Sequence, residues 1–367
     1  MTGFHTAFIV LCTLALSSAA VTVDVDTAEK LRTKVGSAEA GTILHVTADL
    51  DLSSLDAPLG LSASGGCTPF RGTLDGDGHV LRGLSVTAPS AGLFCALEGA
   101  QIVNVTLDSS CTVTGTNTTD ARVGAIAAAV TGGHVILERV SSSATVKGGA
   151  LMGRVGAAVG GLVGAVTGDD VVLELTHCSN AGIVRAEGTC ARSAGLVGAS
   201  SGARATVGLL DCTNTGTVSC SPGNDGLSWM PSDDFNCTAA GLAIVGPGAD
   251  AVLRVRGGTN RGTVTGNSTE SRMEKFTAVA GLAVVDGPDG LAEVHNGANI
   301  GPVASMTPGA MRVGCSTRNR RTRSARASQT RSTRAASKHR QCRAWDGRRT
   351  RSRRASRGES PTRRTLS

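Results

Sequence analysis

The chain has no tyrosine and two tryptophans, and aromatic residues make up 2% of its 367 positions. Sugar-processing clefts generally use aromatic faces as platforms, because a ring gives large apolar contact at low entropic cost. A glycan-processing groove is therefore hard to build from this composition. Long apolar runs are missing too: the stretch Ala7 to Leu16 is about ten residues, and a bilayer span needs about 20, so no membrane span is expected. There is no Cys-x-x-Cys pair and no His/Cys spacing suited to zinc. Between Cys315 and Thr365 there is no Val, Ile, Leu, Met or Phe, which leaves nothing to pack and predicts disorder.

Glycine is abundant, at 49 residues, but without the Gly-X-Y period of collagen. It belongs instead to a six-fold repeat. A Gly-apolar-apolar step begins at Gly92, Gly124, Gly161, Gly195, Gly241 and Gly281. It is followed by Asn-x-Gly-x-Val, starting at Asn180, Asn214, Asn260 and Asn299, with degenerate copies from Ser109 to Val113 and from Ser142 to Val146. From the Gly to the Asn or Ser the spacing is 17, 18, 19, 19, 19 and 18 residues; from there to the next Gly it is 15, 19, 15, 27 and 21. One part is held in register and the other is free to grow, as stacking coils require. Segments 171–175, 206–210 and 251–256 are short, β-branched or alternating, and bounded by turn residues, so they read as strands. The Asn residues are expected to take left-handed backbone, to stack their amides in one file, and to place Val184, Val218, Val264 and Val303 in the core. Coils of about 18 residues, two per repeat, are predicted over 42–305, with rungs about 4.8 Å apart.

Residues 67–95, with Phe-x-Gly-Thr-x-Asp-Gly-x-Gly-His leading into Gly92-Leu-Phe, resemble the entry coil of GLUG-motif proteins. The Gly-Leu-Val-Gly steps at 161 and 195, followed by CSNAGIV and CTNTGTV, resemble that family's repeating unit; Cys95 where Gly is usual, and GLAI and GLAV in the last two repeats, depart from it. The resemblance implies an all-β, right-handed parallel β-helix (β-solenoid) with an adhesin-like role at a cell surface. Richness in Gly, Thr and Val also resembles the dispersed-gene-family surface proteins of trypanosomatids. The expected organisation is a signal peptide over 1–20, an N-terminal cap and first coil over 21–60, repeats over 61–311 and an Arg/Ser-rich tail over 312–367. Within the cap, Thr27 to Val35 predicts a short helix with Thr27 as N-cap.

The apolar run before Ser17-Ser-Ala-Ala20 reads as a secretory signal, so the product is expected to be secreted or displayed at the cell surface. Sequons at Asn104, Asn117, Asn236 and Asn267 agree with export and predict glycosylation. Eight cysteines in the body suggest disulfides, with free thiols stacked at Cys178 and Cys212 as the alternative. Charge is divided: residues 1–311 carry 17 Lys+Arg against 27 Asp+Glu, a net of −10, and 312–367 carry 19 against 2, a net of +17. The tail is a polyanion-binding arm, or the product of a shifted or truncated reading frame in a surface-protein family. A nucleic-acid role is at odds with the export signal.

Parallel β-helices also host polysaccharide lyases and hydrolases, whose sites need converging acids beside Lys, Arg or His. The candidate acids are Asp75 with Asp77, Asp169 with Asp170, and Asp233 with Asp234, and no repeated offset stacks two histidines. Asp75-Gly-Asp77-Gly-His79 lacks the later ligands of a calcium loop and reads as a tight corner. The expectation is therefore a non-enzyme without metal or cofactor, with a polysaccharide-acting enzyme as the alternative. The longest variable connection, Ser219 to Ala239, is the candidate binding loop. It carries Trp229, Met230, Asp233, Asp234 and Asn236, with Cys220 and Cys237 placed to close it, and its expected partner is a host-cell or matrix protein or glycan. For the tail, deleting 312–367 should leave the thermal transition of the body in place and abolish salt-sensitive retention on heparin. Equal retention by the shortened chain would remove the polyanion arm.

Overall fold

A computed structural model describes residues 20–116, 121–150, 157–188, 191–221, 237–246, 248, 250–266, 277–285, 290–305, 311–312 and 341–342. Its sheets are built from short strands stacked in parallel, so the chain winds as a parallel β-helix with five faces. The first face holds Val21–Val25, Thr42–Val46, Thr73–Asp75, Gln101–Val103, His134–Glu138, Val172–Thr176, Thr206–Leu210, Val252–Arg256 and Leu291–His295. The second passes through Ser179–Asn180 and Thr213–Asn214, the third through Val184–Gly188 and Val218–Ser221, the fourth through Ala191–Ala194 and Cys237–Ala240, and the fifth through Val197–Ser200 and Ala243–Val245.

One repeat makes one full turn. Register partners Thr73, Gln101, Ile136, Glu174, Gly208, Arg254 and Glu293 succeed one another at intervals of 28 to 46 residues. The expected 18-residue coil is thus corrected: 18 or 19 residues separate each Gly from the Asn that follows it, which is only part of the circuit.

The interior is one apolar stack. Leu44, Leu74, Ile102, Leu137, Leu175, Leu209 and Val255 form a buried file along the first face. Val86, Val113, Val146, Val184, Val218 and Val264 form another along the third, and Val303 ends it half-buried. Between the fourth and fifth faces the chain doubles back on small residues, among them Ala158, Ala165 and Ala199. The N-terminal end is covered by the helix Ala28–Val35, capped by Thr27 and burying Ala28, Leu31 and Val35.

Buried asparagines enter this interior in one file, while Ser193, Ser200 and Thr238 are buried on the fourth and fifth faces. Asn180 Nδ2 donates to Asn214 Oδ1 at 2.9 Å, Asn214 to Asn260 at 2.8 Å, and Asn260 to Asn299 at 2.7 Å. Each Nδ2 also donates to the carbonyl two residues on, from Gly182 to Gly301. Ser142 continues the file one rung below, but in the turn before it the register partner is Leu107, not Ser109. Two extra residues in that turn break the sequence spacing. A Cβ on Gly161, Gly195 or Gly241 would lie 2.6 Å from Cγ of the same turn's Asn and 1.9 to 2.1 Å from the next turn's glycine carbonyl. The Gly step and the Asn are one contact.

The left-handed backbone expected at these Asn residues lies elsewhere. It occurs at Asn104, Arg139, His177, Asp211, Gly257 and Asn296, each directly after a first-face strand. Hydrogen bonds to the next turn hold five of them: Asn104 N–H donates to Glu138 O, Arg139 to Thr176, His177 to Leu210, Asp211 to Arg256 and Gly257 to His295.

Residues 1–19 and most of the tail lie outside the described residues. Gln341–Cys342 pairs antiparallel with Ala292 and Glu293 on the last first-face rung, through backbone bonds that need no apolar side chain. Asn214→Ala removes both ladder bonds of its rung and leaves the buried Asn260 Oδ1 without its donor. It should cost about 3 kcal/mol and lower Tm by roughly 5–10 °C. A Tm equal to the parent's would show that the ladder carries no stability.

Candidate functional site

Where the chain is free to vary follows from which corners are locked. From Gln101 onward, the corner between the first and second faces always takes two residues, and so does the bend between the fourth and fifth. The corner between the third and fourth faces behaves differently. Its connections are Pro89, then 116–121, 151–157, 189–190, 222–236, 267–276 and 306–310. The connection from the fifth face to the first also varies, from one residue to six, but the longest insertions line up along the edge between the third and fourth faces. Asn117, Asn236 and Asn267 fall in these connections, as do Trp229, Met230, Asp233 and Asp234, and all seven lie outside the described residues.

Cys220 and Cys237 close the base of the longest connection, with Cα atoms 6.0 Å apart. Each follows from its file: Cys220 stacks on Ala186 and Cys237 on Ala191. In earlier turns the same gap is closed by small residues; a Cβ on Gly115 would lie 3.5 Å from that of Ala121, and one on Gly148 3.6 Å from that of Ala157. Joining residues 17 apart limits the freedom of the unfolded chain, a stabilisation of roughly 3 kcal/mol in the chain-entropy model. A second disulfide, Cys67–Cys95, ties the entry loop to the fifth face. The expectation of general pairing is corrected at Cys111, Cys178 and Cys212, which are buried free thiols. Cys178 and Cys212 sit one above the other, and each donates to carbonyls of its own and the preceding turn. The neighbouring Cys212 thiol, with burial, pushes the Cys178 thiol far up. Cys190 lies outside the described residues.

Beside the variable edge, the outer side of the third face opens a groove of about 300 Å³ lined by Thr114, Gly115, Lys147, Gly148, Gly149, Arg185 and Glu187. Lys147 and Arg185 are register partners on neighbouring rungs, and both are exposed. Arg185 pairs with Glu187 on its own strand. Sequence reasoning missed this groove, because outward positions carry no repeat to mark them.

The sequence-predicted acids lie apart from it. Asp75 Oδ1 accepts from the Asp77 backbone N–H and from Asn104 Nδ2, both at 3.0 Å, and Asp77 has the left-handed φ of 45° that a tight corner uses. Asn104, the remaining sequon, also accepts from Arg139 Nε at 2.7 Å. Asp169 accepts from the Ala203 N–H at 2.8 Å, and Asp170 takes both Nε and an Nη of Arg204 at 2.6 Å, which holds its carboxyl below the usual range. Asp75 and Asp170 are three rungs apart, about 14 Å along the axis. Asp233 and Asp234 lie outside the described residues. Among the described residues no group of three or more His, Cys, Asp or Glu is placed to hold a metal, and no helix is long and apolar enough to cross a membrane.

No family model matches this chain, and no curated protein matches it. Among solved structures it is similar to a Bacteroides ovatus protein provisionally described as an immunoglobulin A1 protease, with 14% identity, 77% of this chain and 84% of that one covered, and a TM-score of 0.46. That likeness carries no argument about activity.

At the N-terminal end, His45 lies between Asp24, with Nδ1 to Oδ1 at 3.3 Å, and Asp77, with Nε2 to Oδ2 at 3.5 Å. The hydrogen bond to Asp24 raises its pKa above the ordinary value of 6.5. A raised histidine stabilises the folded state fully below its unfolded pKa and loses that contribution as pH rises through the folded one. The Tm of the protein should therefore exceed that of His45→Gln at pH 5.5, with the gap closing by pH 8.5. A gap that widened with pH would reverse the assignment.

Proposed function

We propose that this chain is an exported, surface-displayed and non-catalytic binding protein, adhesin-like and of the GLUG-like kind, that presents its ligand-contacting loops along one edge of a rigid β-helix. The observation that carries this reading is the confinement of the largest insertions to the corner between the third and fourth faces, where connections run from the single Pro89 to the fifteen residues 222–236. Loops held on a rigid scaffold are where binding residues collect. The two disulfides support an oxidising, extracellular setting. Sequons at Asn117, Asn236 and Asn267 put glycans on the same edge. The partner in this reading is a host-cell or matrix protein or glycan.

Trp229 is the proposed anchor of the longest loop, as buried aromatic residues dominate binding energy at interfaces. Trp229→Ala should weaken binding to host cells or matrix by about tenfold or more, and replacing 222–236 by the two-residue connection of 189–190 should abolish it. Neither change alters a described core residue, and Tm is expected to hold for Trp229→Ala. Undiminished binding by both variants would overturn the role of this loop.

A further inference from the structure

The outward file along the third face reads Thr87, Thr114, Lys147, Arg185, Ser219 and Thr265 in successive rungs. Hydroxyl residues occupy four of the six positions, and the two cations stand together at the centre. In-register rungs are about 4.8 Å apart, and like charges directly opposite on neighbouring strands repel. One carboxylate relieves this, Glu187, and it pairs with Arg185 on its own strand. The register partner of Glu187 is Gly149, so Lys147 has no equivalent carboxylate, and it makes no ion pair among the described residues. The groove opens at this place, and the seven residues lining it leave one net positive charge. That surplus cation stands over a cavity on a body whose first 311 residues carry a net charge of −10.

We propose that this groove is a binding site for a single acidic sugar residue, whose carboxylate or sulfate is held between Lys147 and Arg185 and whose hydroxyls meet Thr114 and the backbone of the glycine floor. The lining decides among classes of ligand. It holds no Val, Ile, Leu, Met or aromatic residue, so it offers nothing to a lipid tail or to the apolar side chains that anchor a peptide. A peptide could not add as a strand either, because Thr145–Ala150 is paired on one side with Thr112–Gly115 and on the other with Val184–Gly188. What remains is a small, hydroxylated, singly anionic ligand of about the groove's 300 Å³. Arginine and lysine together suit it, since the guanidinium grips a carboxylate or sulfate through two donors and the ammonium adds a point charge. The proposal rests on reading this edge as a binding surface and names the chemistry that it would recognise.

The test uses the full chain, titrated by ligand-observed NMR with 3′-sialyllactose, galactose 6-sulfate and, as the neutral probe, lactose. Because every variant keeps the same basic tail, any binding through the tail is common to all of them, and differences report the groove. Lys147→Ala with Arg185→Ala should lose at least tenfold in affinity for the acidic sugar, Lys147→Arg should retain most of it, and lactose should not bind. Both side chains point outward, so an unchanged Tm in the variants confirms an intact fold. Preference between the two acidic probes separates carboxylate from sulfate as the recognised group. Equal binding by the double variant and the parent, or acidic sugars binding no better than lactose, would overturn the proposal. If Trp229→Ala abolishes cell binding while the groove variants change nothing, the acidic-sugar site fails and the loop reading stands; loss confined to the groove variants upholds the site and removes the loop.

Discussion

The contact between a glycine that cannot be replaced and an asparagine amide stacked above it sets the geometry of this protein. A buried amide left without partners costs about as much as several apolar contacts return, so it is tolerated only when every donor and acceptor is met. Asn180, Asn214 and Asn260 meet that condition by bonding to one another and to their own loop carbonyls. They can do so only if each turn repeats the last in register, since a slip of one residue would turn the amides out and drive polar groups into the apolar files. Gly161, Gly195 and Gly241 make room for the amides. The ladder and the core therefore depend on the same alignment.

That alignment leaves the corner between the third and fourth faces the freest to grow. The first corner is held by the left-handed residues from Asn104 to Gly257 and their hydrogen bonds to the next turn. The bend between the fourth and fifth faces is held by the glycines, whose missing Cβ lets backbone approach backbone. Added residues at either place would shift the amide file. At the corner between the third and fourth faces the chain has already passed its core valine, so a connection can grow without moving the stack. At Cys220 and Cys237 a covalent link restores the closure that small residues provide elsewhere.

Much of the architecture was legible because stacking imposes a period on inward residues. The Asn file, the valines from Val184 to Val264, the helix after Thr27 and the strand at 206–210 all stand where the pattern put them. The length of the turn was misread, because the near-constant interval from Gly to Asn runs through the fifth, first and second faces and not around the whole circuit. Left-handed positions were missed because Asn, Arg, His, Asp and Gly all serve there; the bond that holds them is a backbone bond and leaves no mark in the side chains. Ser109 was misplaced by the two residues added before Val113. The groove was invisible for the converse reason: Lys147 and Arg185 face solvent, where stacking selects nothing and the chain is free to depart from its repeat.

This division uncouples stability from recognition. An inward substitution such as a change at Asn214 touches the rungs on both sides, because each residue is in contact with its equivalents above and below. An outward one, at Lys147 or in a connection, changes a single rung's surface and leaves the stack intact. Arg185 shows how the two are joined without being coupled. Its backbone pairs with Lys147 on one side and Ser219 on the other, within a strand whose Val184 and Ala186 are buried, while its side chain pairs with Glu187 in solvent. The same strand thus fixes where the charge stands through its inward residues and leaves the identity of that charge to its outward ones. A solenoid of this kind can acquire or exchange a ligand site by changing residues that carry none of its folding energy.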